Sequence, residues 1–202
     1  MAKRKSKKRQ EAEFFEAVCG LAAITGGAVG YLTTKDFTVS IFMAIIMAGI
    51  VIFCFFLKKQ QYEQRLRDAG ITQIDKMSGT EFEVYLGKMF DRLGYKTKVT
   101  QASGDFGADI ILQTADKRIV VQAKRYKGNV PIEAVQQVFA AAPHYKANSA
   151  WVVTNSDYTR AAYTLAKSTN VRLINREQLI ELILKSKQSQ KSKTIKPLEK
   201  SS

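Results

Sequence analysis

Two uncharged runs separated by only two polar residues constrain this chain more than any other feature. Ala17 to Thr34 carries no charge, Lys35 and Asp36 interrupt, and Phe37 to Leu57 is again uncharged. An α-helix rises 1.5 Å per residue, so about 20 apolar residues cross a ~30 Å hydrocarbon layer. The second run, dense in Ile, Phe, Met and Val, meets that length. The first is shorter, rich in glycine, and has Glu16 at its edge. Two such runs do not suit the core of a small soluble domain, and the expectation is a transmembrane helical hairpin. A signal peptide is the weaker reading, because no convincing small-x-small cleavage site precedes a mature start. So short a link puts both outer ends on one side. Lys3 to Arg9 precede the hairpin and Lys58 and Lys59 follow it. The positive-inside tendency then places both ends, and everything after Lys58, in the cytoplasm of a cell inner or plasma membrane. Gly26-x-x-x-Gly30 is a small-x-x-x-small pattern that predicts close packing of the first helix on the second.

The chain has 202 residues and a net charge of +14, unevenly placed. Residues 78–184 hold fourteen basic and ten acidic side chains, so most of the excess lies in the flanks. The high charge is therefore weak evidence for nucleic-acid binding by the central segment, since membrane topology also explains basic flanks. Cys19 and Cys54 both lie in apolar runs, which excludes a disulfide framework or a cysteine zinc site. His144 is the only histidine, which excludes a multi-histidine metal centre.

The organisation predicted from these patterns is a basic start over 1–13, the hairpin over 14–57 and a charged helical stalk over 58–77. A folded domain over 78–184 and a disordered Lys/Ser/Gln tail over 185–202 follow. Gly70 ends the stalk. Ser78 with Glu81 forms a capping box for a helix that runs to Leu93, with Gly94 at its C-terminus. Tyr95 to Thr100 is a strand. Asp109 to Gln113 and Arg118 to Lys124 form a hairpin about the turn Thr114-Ala115-Asp116-Lys117. A helix from Pro131 to about Lys146, a buried strand over Ala150 to Thr154 and a helix over Thr159 to Thr169 come next. Val171 to Ile174 is a strand, and Arg176 to Leu184 is a helix capped by Asn175. The order α-β-β-β-α-β-α-β-α predicts an α/β sandwich about a mixed sheet.

The hairpin carries the chemistry. Centred on its turn, it sets Asp109 opposite Gln122, and the period of two along a strand puts Lys124 on the same face. An acid, an amide oxygen and an amine then converge. Such a cluster can hold a hard metal and orient water against a phosphodiester. A carboxylate beside Ile110-Ile111-Leu112 is costly to bury unless paired or metal-bound.

These residues sit within an ordered set of short motifs. Gly79-Thr80-Glu81-Phe82-Glu83 opens a helix that Leu93-Gly94-Tyr95 closes, and Gly104 to Asp109 carries the acid. Val121 to Tyr126 holds Gln122-x-Lys124, and Val135-Gln136-Gln137-Val138 follows. Over residues 71–184 the set resembles the PD-(D/E)xK nuclease superfamily, and most closely its Mrr-type restriction endonuclease branch. The resemblance implies a restriction-endonuclease-like sandwich, here preceded by two transmembrane helices. It implies Mg2+ (or Mn2+) as cofactor, double-stranded DNA as partner and a homodimer for double-strand cutting. By resemblance, Asp109, Gln122 and Glu83 hold the metal, and Lys124 assists the attacking water and steadies charge on the phosphate. Gln122 stands where many relatives carry Glu, and the Mrr-type branch is known for Gln here. Arg125, Lys127 and Gln136 are the expected DNA contacts, with Lys96, Lys98 and Arg160 on a basic rim; Gln137 borders the site. Asp105 is a further candidate for metal, water or DNA, with a turn-forming role as its competitor. Glu81 is assigned to capping, Trp151 to the core and His144 to the surface. The alternative function is a catalytically inactive nuclease fold that tethers DNA to the membrane.

Overall fold

The computed structural model describes residues 7–100 and 106–195. Asp105 and the end of the chain beyond Ile195 lie outside the described residues. The chain divides into two compact units, 1–64 and 65–202.

The first unit is helical. Helix α1 spans Lys7–Thr34, and α2 spans Phe37–Ala69, carrying the predicted charged stalk as a direct continuation of the second apolar run. The break between them is made locally. Lys35 adopts φ 57°, and the Asp36 carboxylate accepts from the Thr38 backbone N–H at 2.8 Å, which starts α2. The two glycines of the Gly26-x-x-x-Gly30 pattern lie against α2. A Cβ at Gly26 would fall 2.7 Å from Met47 Cγ, and one at Gly30 would fall 2.9 Å from Ser40 Cα. Only hydrogen fits there, as the spacing predicts. Away from that seam the apolar side chains face outward: Leu21, Ile24, Phe42, Ile45, Phe53 and Phe56 are all exposed. By length and composition, both helices can cross a membrane.

The second unit is an α/β sandwich. Gly70, at φ 70°, ends α2 and is followed by a one-turn helix, α3 (Ile71–Ile74). Then come α4 (Gly79–Arg92), β1 (Lys96–Val99), β2 (Ile110–Gln113), β3 (Arg118–Lys124), α5 (Glu133–His144) and β4 (Ser149–Thr154). Helix α6 (Arg160–Thr169), β5 (Arg172–Ile174) and α7 (Arg176–Ile195) complete it. The strands form one sheet in chain order. The first three are antiparallel, because short connections can only fold back. Strands β3, β4 and β5 are parallel, because α5 and α6 cross over between them.

Strand β3 shows why both faces are covered. Ile119, Val121 and Ala123 point into a core shared with Phe82, Leu86 and Phe90 of α4 and Leu179 and Ile183 of α7. Val120 points the other way, toward Val135, Val138 and Ala141 of α5 and Ala162 and Ala166 of α6. A strand buried on both faces reads as a continuous apolar run. Ala69, Ile71 and Ile74 also belong to the α4/α7 core, so the segment expected to be a linker supplies buried side chains to the packed unit.

The predicted caps form. Ser78 Oγ accepts from Glu81 N–H at 3.2 Å while the Glu81 carboxylate accepts from Ser78 N–H at 2.7 Å. Asn175 and Gln178 repeat that reciprocity at the start of α7. The end of α7 departs from expectation. Residues 185–195 of the tail, which its composition predicts to be disordered, continue the helix to Ile195. Polar tertiary contacts carry it on: Ser186 is buried, Lys187 Nζ donates to the Asp68 carbonyl, and Ser189 Oγ donates to the Arg92 carbonyl at 3.1 Å. Helix α5 starts two residues after Pro131 because Val130 is first tied into a bridge with Tyr158.

Candidate active site

The hairpin has the register its turn predicts. Ile110 pairs with Val121 and Gln113 with Arg118, and the turn is closed by Thr114 N–H donating to the Lys117 carbonyl at 2.8 Å. One step beyond β2, Asp109 N–H donates to the Val121 carbonyl and its own carbonyl accepts from Thr100, both at 2.9 Å. Asp109 is thus clamped between β1 and β3 and faces Gln122. Both are buried, at 6% and 4% exposure. Here β2 leaves the ladder, and a side chain takes over the bond its backbone would have made. The Asp109 carboxylate accepts from Ala123 N–H at 2.7 Å and from Gln122 Nε2 at 2.5 Å through the same oxygen, Oδ2.

That arrangement fixes the amide of Gln122. A carboxylate only accepts, so the nitrogen must face Asp109 and the carbonyl oxygen must face away. Gln122 Oε1 is buried and has no hydrogen-bond partner. Leaving such an acceptor dry costs about 1–3 kcal/mol. Carboxylate and carboxamide oxygens are hard donors of the kind that hold Mg2+ or Mn2+. An oxygen with nothing to accept from, beside a buried carboxylate, fits a divalent cation. Among the described residues no group of three or more His, Cys, Asp or Glu side chains is placed for a metal, so this fit rests on a mixed carboxylate–amide set.

Lys124 follows two residues on, on the same face and half-buried. Its carbonyl accepts from Thr154 Oγ1 at 2.6 Å, which fastens the end of β3 to β4. Glu83 is half-buried in the second turn of α4, the helix over the opposite face of the sheet. The structure therefore brings Asp109, Gln122 and Lys124 to one face, while Glu83 comes from the other layer. Lys127 and Gln136 are exposed. Arg125 is not: it is half-buried, its Nη1 donates to the Asp75 carbonyl at 3.3 Å, and its Nε is buried without a partner.

Arg125 belongs to a group that sequence reasoning missed. The Arg176 guanidinium grips the Asp75 carboxylate with two bonds of 2.8 Å. Asn155 Nδ2 donates to the same carboxylate at 2.8 Å, and Asn155 Oδ1 accepts from Tyr126 N–H at 2.7 Å. The Arg176 bonds hold the Asp75 carboxyl below the usual carboxylate range, against an opposing effect of burial. Through Asn155 the cluster anchors the backbone just after Lys124. No local pattern announces partners this far apart in sequence.

Gly107 positions the site from the other side. It has φ +88°, and a Cβ there would lie 2.8 Å from the Gln137 carbonyl oxygen. The loop entering β2 can press on α5 only because this residue is glycine. Phe106 lies beside it, exposed, with its ring centroid 4.0 Å from that of His144. His144 is exposed, and Trp151 is buried against Phe90 and Tyr95, as expected of both.

A restriction-endonuclease sandwich with this acid–amide–lysine face defines a class, and the family comparison agrees. Residues 74–183, more than half of the chain, match the model of the Mrr_cat family, described as restriction endonuclease; the chain belongs to that family. Among characterised proteins it is similar to the type IV methyl-directed restriction enzyme EcoKMrr of Escherichia coli (strain K12). The two are 25% identical over 147 residues, which cover 68% of this chain and 48% of that enzyme. The chain thus spans about half the length of the curated relative it matches. Among solved structures it is similar to the DNA modification-dependent restriction endonuclease AspBHI (22% identity, TM-score 0.46, covering 59% of this chain and 34% of that one). It is also similar to the MspJI restriction endonuclease, solved with a 27-mer oligonucleotide (19% identity, TM-score 0.45, 58% and 31%).

Proposed function

We propose that this chain is a membrane-anchored DNA endonuclease that hydrolyses phosphodiester bonds with a divalent cation, Mg2+ or Mn2+. The observation that carries the reading is the buried Asp109–Gln122 pair, with one amide oxygen left without a partner and Lys124 on the same face. Asp109 and Gln122 Oε1 would hold the cation; Glu83, the further ligand that the family resemblance implies, comes from the helix over the opposite face and is not placed beside them. When bound, the cation would polarise a phosphoryl oxygen and lower the pKa of water near it.

The chain's own groups do the rest. Asp109 is held by backbone bonds on both sides, so its carboxylate enters the site without reorganising. Gln122 contributes no charge, so the pair carries one negative charge rather than two. That lessens repulsion toward an incoming phosphate and weakens the hold on the cation. Lys124 donates toward the water that attacks phosphorus and toward the charge that grows on the phosphate. The hairpin reading rests on two apolar helices whose side chains face outward, joined by a two-residue break and flanked by basic residues. It keeps the domain on the cytoplasmic side. Double-stranded DNA is the proposed substrate, and two copies acting together would cut both strands.

The test is plasmid cleavage by the full chain in detergent or nanodiscs, with Mg2+ or Mn2+, comparing wild type with Asp109→Asn and Lys124→Gln. Loss of cleavage by about a hundredfold or more in both variants is expected. Equal cleavage by all three removes these residues from the reaction. DNA retention by wild type with no nicking under any metal would favour the tethering module instead.

A further inference from the structure

We propose that the open face of β1 and β2 is a bed for the phosphodiester backbone of a duplex flanking the scission point, gripped by Lys96, Lys98 and Arg118. The inference rests on the nuclease reading and assigns the route the substrate takes to that site.

The register defines the face. Lys96 pairs with Gln113, Lys98 with Ile111 and Gln113 with Arg118. Residues directly opposite one another share a face, and so do residues two apart. Lys96, Lys98, Ile111, Gln113 and Arg118 therefore lie on the same side of the sheet as Asp109, Gln122 and Lys124. Helix α5 covers this side over β3 and β4, burying Val120, Ala150 and Val152, and stops there. Over β1 and β2 no helix among the described residues covers that side. It forms an open concavity of about 290 Å3, with Ile111 half-buried in its floor and Tyr145 of the α5 end among its lining residues.

The chemistry of this bed is one-sided. Among the described residues, three cations line it and no carboxylate does. Lys96, Lys98 and Arg118 are all exposed, and among the described residues neither lysine has a carboxylate partner. Arg118 is steadied by its Nη1 bond to the Tyr145 carbonyl at 3.2 Å. The dimensions select the ligand. At about 3.3 Å per strand residue, Ile111 lies about 7 Å and Gln113 about 13 Å from Asp109 along β2. Lys98 stands at the Ile111 level, and Lys96 and Arg118 flank Gln113 on the neighbouring strands, about 10 Å apart across the sheet, a spread too wide for one phosphate ion. A nucleic-acid strand, with a phosphate every ~3.4 Å of helix axis, supplies charge at several points along the same track. Such contacts fix the register of a duplex and read no sequence.

Lysines on an edge strand have a competing role, since they also deter edge-to-edge aggregation. Salt dependence separates the two. Binding of a 30-bp duplex to the full chain in zwitterionic nanodiscs, in EDTA, is measured by anisotropy across a salt series. Each phosphate contact contributes about −0.9 to the slope of log K against log salt. Lys96→Gln/Lys98→Gln/Arg118→Gln should make the slope shallower by about 2.7, and Lys96→Gln/Lys98→Gln alone by about 1.8. The double variant leaves the Arg118–Tyr145 bond in place, so a folding defect in the triple variant does not obscure the result. Lys88→Gln/Lys167→Gln/Lys185→Gln removes the same charge from exposed positions elsewhere and should leave the slope near wild type.

Unchanged slopes in the first two variants, or an equal change in the charge-matched control, overturn the proposal. Plasmid cleavage by wild type alongside unchanged slopes would sink this surface alone. Shallower slopes without any cleavage would keep the surface and sink the nuclease reading. A wild type that binds no duplex at low salt sinks both.

Discussion

Replacing Gln122 by glutamate tests how Asp109 and its partner share their buried site. The Gln122→Glu change removes the charge-assisted bond from Nε2 to Asp109, worth about 1.5–3 kcal/mol. It also sets two carboxylates face to face at positions 6% and 4% exposed. At an effective dielectric near 20, like charges about 4 Å apart repel by up to about 4 kcal/mol. Uptake of a proton caps that repulsion. A net loss of about 4 kcal/mol is a large part of the 5–15 kcal/mol that typically holds a domain together. The sign with pH follows. Repulsion raises the carboxyl pKa in the folded state, so the penalty is full at neutral pH. It fades as pH falls and the pair takes up a proton. A divalent cation should offset it at pH 7. Trp151 is the only tryptophan and is buried in this unit, so its fluorescence follows the right transition. In EDTA at pH 7 the variant should melt roughly 10 °C or more below wild type, and the gap should narrow at pH 5 and in Mg2+. A variant that melts within about 2 °C of wild type in EDTA at pH 7 would refute the reasoning.

Asp75→Asn should destabilise the unit by about 1 kcal/mol at neutral pH, a modest figure because a third of each partner side chain is exposed. The Asp75 carboxyl is held below its ordinary value in the folded state. Its contribution is therefore present above about pH 4 and lost as pH falls through the lower folded value, so the wild-type and variant melting curves should converge in acid. Gly107→Ala should cost about 2 kcal/mol or more in a denaturant titration, since it combines positive φ with a clash against the Gln137 carbonyl. If the hairpin spans a bilayer, alkaline carbonate should leave the chain in the membrane fraction, and protease added to inside-out vesicles should reach Lys58 and the nuclease domain. Release by carbonate would contradict it.

The sequence made the sandwich legible wherever a local rule was enough. The Ser78–Glu81 box, the Asn175 cap and the breaks at Gly70 and Gly94 each rest on residues a few positions apart, and each stands in the structure. The Ile110–Val121 register that brings the Asp109 side chain to Gln122 was readable because a short turn leaves little freedom in pairing. Other features depend on contacts between distant segments. Helix α7 outlasts its apolar pattern because Lys187 and Ser189 find carbonyls of Asp68 and Arg92. Arg125 looks like a surface cation in sequence but turns toward Asp75, which Asn155 and Arg176 also bind from 80 and 101 residues away. Gln122 as a candidate was visible; that its nitrogen is committed to Asp109 and its oxygen to nothing was not.

The most direct test of the account is an anomalous difference map from crystals of the full chain soaked in Mn2+. A peak about 2.1 Å from an Asp109 carboxylate oxygen and from Gln122 Oε1 is the predicted result. An empty map at that position under saturating Mn2+, with the amide oxygen still unpartnered, would contradict the claim that this pair holds the catalytic cation.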